Sequence, residues 1–151
     1  MLRLTKQHYA DIIVHCQSKY PKEACGLLAT NFFWAVSNVL QVYPMTNIED
    51  SPIGYSMDPK EQLLIDKQMR KAEHRLCGIY HSHTASDAYP STVDESLALG
   101  PEIAYVLVSL KDRQNPVLKS YRINLLRPVT KRIVEEPVEI VEDLSEIRQE
   151  G

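Results

Sequence analysis

The sequence predicts an α/β fold, a mixed β-sheet with helices packed on its faces. Three observations predict it. Strand-like and helix-like segments are interleaved along the chain. Two amphipathic stretches begin with recognisable helix caps. Several strand-like segments are hairpin neighbours, which argues against a purely parallel sheet. The chain has 151 residues, 44% hydrophobic and 25% charged, which suits one domain with its own core. The domain is placed at residues 1–143, and the charged segment 144–151 is read as a fraying tail.

The elements follow in order. Thr5 is placed to cap a helix running to about Lys19, in which Tyr9, Ile12, Ile13 and Cys16 form one apolar stripe. Pro21 ends it. Cys25 to Ala29 reads as a buried strand. Phe32 to Val36 and Val39 to Tyr43 read as strands joined by a hairpin turn at Ser37-Asn38. Thr46 to Gly54 is rich in turn residues and reads as a loop. Asp58, Pro59 and Glu61 occupy the cap, first and third positions of a second helix reaching about Glu73. Leu76 to Ser82 is a strand that turns from apolar residues to histidines. Thr84 to Pro90 is a polar loop, and Ser91 caps a further helix with Asp94 in its first turn. Tyr105 to Leu110, nearly all apolar, is a central strand, followed by Leu118 to Ile123. Ile133 to Val141 alternates apolar and acidic residues like an outer strand.

The formal net charge of −3 gives no support to nucleic-acid or membrane-surface binding, which favour basic faces. No apolar run is long enough to span a bilayer, and Met1 to Tyr20 has no apolar signal-peptide core. Cys16, Cys25 and Cys77 are an odd number without close spacing, so a reducing cytoplasm is expected.

The chemistry concentrates in one segment. His81 and His83 are two apart on a strand, so both imidazoles project from one face. Such a pair suits zinc, although alone it reads equally as a polar edge. The loop that follows is short enough to return Asp94 to the same point. Two histidines and a carboxylate make the three protein ligands typical of catalytic zinc. Asp94 in a first helical turn also satisfies the helix dipole, but that does not explain its register with the histidines. Glu23, just ahead of an apolar strand, is the candidate base, although an acid beside Lys22 is usually a solvated surface residue. Ser91 is a candidate donor to a developing oxyanion, in competition with its capping role. Cys25 with His81 offers an alternative cysteine nucleophile, against the common occurrence of inert buried cysteines on strands. His8, His15 and His74 read as surface or helix-face residues. Thr84 and Tyr89 read either as groove-shaping or as ordinary loop residues. His-Glu-x-x-His and the deaminase signature are both missing.

His-x-His, seven residues, Ser, two residues and Asp, with a Glu upstream, resembles the motif of the JAMM (MPN-plus) metalloproteases. The resemblance runs from the first helix to about Ile123. It implies a three-layer JAMM/MPN fold similar to the cytidine-deaminase fold. It also implies zinc held by His81, His83 and Asp94, Glu23 as general acid/base, and Ser91 as oxyanion donor. The strings Glu23 to Leu28, Pro44 to Asn47, Tyr80 to Ala85 and Ala88 to Ser91 look like the small bacterial branch. That likeness implies removal of a C-terminal cysteine, or a short cysteine-containing tail, after the Gly-Gly of a ubiquitin-like sulfur-carrier protein. Two alternatives share the motif or the fold: an isopeptidase acting on lysine-linked carriers, and a non-catalytic MPN scaffold.

Overall fold

The computed structural model describes residues 1–32, 35–49 and 51–148. Its centre is a mixed six-stranded sheet. β2 (Cys25–Thr30) lies between β4 (Gln41–Met45) and β5 (Arg75–His83). Beyond β5 come β6 (Ala104–Ser109), β7 (Val117–Ile123) and β8 (Ile133–Glu136). All neighbours pair antiparallel except β5 and β6. A parallel pair requires a crossover. Here residues 84–103 supply it, and α3 (Thr92–Ser96) sits within them.

One face is covered by α1 (Lys6–Lys19) and by a three-stranded sheet of β3 (Ser37–Asn38), β1 (Leu2–Thr5) and β9 (Val138–Val141). The Thr5 hydroxyl accepts the His8 N–H at 3.0 Å and caps α1, a contribution of about 1 kcal/mol. Ile12 and Cys16 from its stripe join Leu2, Leu4, Leu28, Tyr80, Val106 and Val108 in a buried cluster. The other face is covered by α2 (Pro59–Lys71) and by residues 46–49 and 51–58. Met45, Met57 and Met69 pack there with Leu27 and Ala29. Asp58 caps α2 by accepting the Lys60 N–H at 2.9 Å. Among the described residues, no helix is long and apolar enough to cross a membrane.

Several expectations change. Ser37-Asn38 is a short strand parallel to β1, not a turn. Phe32, Ala35 and Val36 lie outside any strand, while Phe33 and Trp34 of the same expected strand fall outside the described residues. The 133–141 segment is two strands, since Pro137 lacks an N–H for the ladder. β8 pairs with β7 and β9 pairs with β1, so the chain changes sheets at that residue. The four-residue β1 was not expected. Leu144–Arg148 form α4, with Ile147 buried rather than fraying; residues 149–151 lie outside the described set.

Candidate metal centre

The site forms where β5 leaves the sheet. Strict alternation in its last residues sends Tyr80 and Ser82 toward α1, both fully buried. It sends Ile79, His81 and His83 to the opposite side. β2 runs antiparallel to β5 with Cys25 opposite His81. Two residues back, Glu23 falls opposite His83 and on the same face, by the period-two rule. Glu23 is only 5% exposed, which corrects its reading as a solvated acid. A Glu23 carboxyl oxygen and ring nitrogens of His81 and His83 lie within 4.8 Å of one another.

The return of the chain brings the second carboxylate. Ser91 and Asp94 form a capping box. The Asp94 N–H donates to Ser91 Oγ at 3.1 Å, and the Ser91 N–H donates to Asp94 Oδ2 at 2.8 Å. Ser91 therefore caps as an acceptor, and its O–H proton is not spent on that bond. The two roles for the hydroxyl do not compete. The box also aims Asp94. Its Oδ1 is 3.2 Å from His81 Nε2 and its Oδ2 is 3.2 Å from His83 Nε2. The two Nε2 atoms are 3.2 Å apart.

These separations test the set as a metal site. Ligands about 2.05 Å from a tetrahedral zinc are separated by about 3.3 Å along each edge. The three edges, each 3.2 Å, agree with that spacing. His83 Nδ1 lies 2.9 Å from the Asp87 carbonyl oxygen. That oxygen can only accept, so Nδ1 carries the proton and Nε2 keeps its lone pair for the site. The donor set fits a zinc ion. Glu23 is near enough to be an alternative carboxylate, but the bonds to both histidines belong to Asp94.

The electrostatics follow from burial and pairing. Burial pushes the Glu23 carboxyl up to about 7, with the neighbouring Asp94 and Glu49 charges adding to the rise and His83 opposing it. Burial lowers His81 despite its bond to Asp94. Burial also opposes charge on His83, but Asp94 and the Asp87 carbonyl outweigh it and raise that imidazole. For Asp94, burial is outweighed by its pairing with His81 and His83 and by the hydrogen bond from the Ser91 N–H, which hold its carboxyl well below the usual range. Cys25 sits directly across from His81, but burial pushes its thiol up to about 12. A thiolate nucleophile is thereby disfavoured.

Other residues take definite places. The Thr84 hydroxyl donates to the Pro52 carbonyl at 3.0 Å and ties two loops beside the site. Tyr89 is 55% exposed, edge-on to Tyr121. His15, expected as a surface or helix-face residue, lies on α1 and meets the Tyr80 hydroxyl at 2.6 Å. Two neighbours went unassigned at the level of sequence. Tyr55 stacks on His81 with centroids 4.7 Å apart and an interplanar angle of 33°. Asn47 donates to the Glu23 carbonyl at 2.9 Å and the Gly54 carbonyl at 3.0 Å. Its own oxygen accepts the Glu49 and Ser56 N–H groups. An Asn whose side-chain oxygen accepts the N–H two residues on is the signature of an Asx turn; nothing local marks Tyr55.

Comparison with known proteins gives the same frame. Residues 5–124 match the family described as prokaryotic homologs of the JAB domain. A CysO-cysteine peptidase of Mycobacterium tuberculosis is 42% identical over 131 residues, covering 87% of this chain and 85% of that protein. A desampylase of Haloferax volcanii is 33% identical over 90 residues, 59% of this chain and 63% of that protein. A solution structure of a Desulfitobacterium hafniense protein superposes with a TM-score of 0.83 at 38% identity, covering 97% of each chain.

Proposed function

The chain belongs to the prokaryotic homologs of the JAB domain, and on that premise we propose that this hydrolase removes a C-terminal cysteine, or a short cysteine-containing tail, from a ubiquitin-like sulfur-carrier protein. The observation that carries the reading is the convergence of His81, His83 and Asp94 at mutual distances of 3.2 Å with Glu23 alongside. The likeness to a CysO-cysteine peptidase along 87% of the chain supports the choice of substrate class.

In this reading His81 Nε2, His83 Nε2 and an Asp94 oxygen would hold zinc. Zinc in such a set supplies Lewis acidity and lowers the pKa of water from about 16 toward about 7. Glu23 takes the proton from the attacking water and delivers it to the nitrogen of the leaving cysteine. An acid/base with a pKa near the working pH suits both transfers. Ser91 donates its hydroxyl proton to the scissile carbonyl oxygen as negative charge develops there, a contact typically worth about 3 kcal/mol. Gly-Gly ahead of the scissile bond would suit a narrow approach in which larger side chains clash. The three cysteines, Cys16, Cys25 and Cys77, are unpaired and buried, in keeping with a cytoplasmic setting.

Intact-mass analysis of carriers encoded beside the gene, incubated with zinc-loaded protein, tests the reading. Loss of a tail that leaves a Gly-Gly end, abolished by a chelator, is expected. No cleavage of any such carrier overturns the substrate assignment. A second reading is isopeptidase action on carriers linked to lysine, favoured by the likeness to a desampylase. The same assay on lysine-linked conjugates separates the two.

A further inference from the structure

The Glu23–Ala24 peptide group is held at both ends by side chains from different parts of the fold. Its carbonyl accepts a hydrogen bond from Asn47 Nδ2 at 2.9 Å. Its N–H donates to Ser82 Oγ at 2.8 Å. The flanking peptide groups are tied as well: the Glu23 N–H to the Ser51 carbonyl at 3.2 Å, and the Ala24 carbonyl to the Ser82 N–H at 3.0 Å. Ser82 is fully buried. It stands between the two histidines in sequence but on the opposite face of β5, where Cys16 of α1 is its other hydrogen-bonding neighbour. Asn47 in turn carries the loop that places Tyr55 against His81.

We propose that Ser82 and Asn47 are positioning residues that clamp the Glu23–Ala24 peptide plane and so aim the Glu23 carboxylate at the water beside His81 and His83. The inference rests on the reading of Glu23 as the base. Neither clamp residue touches reacting atoms. A peptide plane fixed at both ends removes the rotation that would swing Cβ of Glu23 away from the histidines. The backbone bonding between β2 and β5 reaches this segment only through the Ala24 carbonyl, so the Ala24 N–H and the Glu23 carbonyl depend on the two side chains. Ser82 ties Glu23 to the very strand that carries the two imidazoles, so base and ligands keep one spacing. Misplacing a catalytic group by about 1 Å can cost on the order of a hundredfold in rate.

The test uses zinc-loaded Ser82→Ala, Asn47→Ala and Ser82→Thr, each also made in the Glu23→Gln background. In the first two, kcat on the tailed carrier should fall about ten- to a hundredfold, with KM and zinc stoichiometry unchanged. Nuclear Overhauser contacts between the Glu23 side chain and the His83 ring should weaken, while those between His81 and His83 persist. Ser82→Thr, which keeps the hydroxyl, should recover most of the rate. In the Glu23→Gln background the clamp substitutions should cost nothing further. An equal loss in both backgrounds overturns the proposal, as do loss of zinc or an intact Glu23–His83 contact. Should Ser82→Ala fail to fold, half-buried Asn47 carries the test alone. Wild-type protein that cleaves no carrier defeats the functional reading instead; the Overhauser comparison needs no substrate and still judges the clamp.

Discussion

The two faces of β5 share one backbone and do opposite work. Toward α1, Tyr80 and Ser82 are fully buried in the main core cluster and its hydrogen bonds. Toward α2 and α3, His81 and His83 are 5% and 9% exposed and face two carboxylates. Burying imidazoles and carboxylates costs free energy unless they are paired or bind a cation. The apolar face is what lets the strand hold the polar one in place. The room for this is visible in Gly26 of β2. A Cβ there would fall 2.1–2.4 Å from Cε1, Cζ and the hydroxyl oxygen of Tyr80, so glycine lets Tyr80 approach β2 this closely while its hydroxyl reaches His15.

The comparison is broken most severely on the polar face. His83→Ala should abolish stoichiometric zinc binding and lower activity at least about 10³-fold, since the lowered pKa of water is lost. Metal analysis and circular dichroism should show an empty but folded protein. Glu23→Gln should retain zinc and lower kcat by about 10² to 10⁴, seen by pairing metal analysis with rate measurement. The two variants separate holding the metal from moving the proton.

On the apolar face the losses should be in stability. Gly26→Ala should destabilise the fold by about 1–3 kcal/mol through overpacking against Tyr80. Thermal melts should drop, while the fraction still folded keeps its zinc. Tyr80→Phe removes the bond to His15 and should cost about 1 kcal/mol with kcat unchanged. A large kcat loss there would mean the two faces are not separable.

A pH profile sharpens the polar side. Burial raises the Glu23 carboxyl to about 7, and below that value the protonated group cannot accept a proton. Activity should therefore fall as pH drops through about 7 or, with a cation beside Glu23 favouring its charged form, through a somewhat lower value. An acid limb unchanged in Glu23→Gln would assign it elsewhere.

The chemistry-bearing face was legible in sequence because local rules write it. Period two puts His81 and His83 together, and the Ser91–Asp94 capping box returns the carboxylate. Both helices with clear caps appear where Thr5 and Asp58 place them. What was not legible depends on pairing between distant segments. β1 is short and contains Arg3, and it is recognisable only beside β9, which follows more than 130 residues later. Ser37-Asn38 looks like a hairpin turn, and only the edge of β1 makes it a strand. The burial of Glu23 comes from β2–β5 register, which no window around Lys22 contains. The Asn47 contact to Glu23 closes a loop in the same non-local way.

His81, His83 and Asp94 are expected to bind zinc, with Glu23 free as the base. Anomalous diffraction at the zinc edge from a zinc-loaded crystal tests it most directly. One peak is expected about 2.0–2.2 Å from His81 Nε2, His83 Nε2 and an Asp94 oxygen, with Glu23 outside bonding distance. A peak ligated by Glu23 in place of Asp94, or located away from these histidines, would contradict the account.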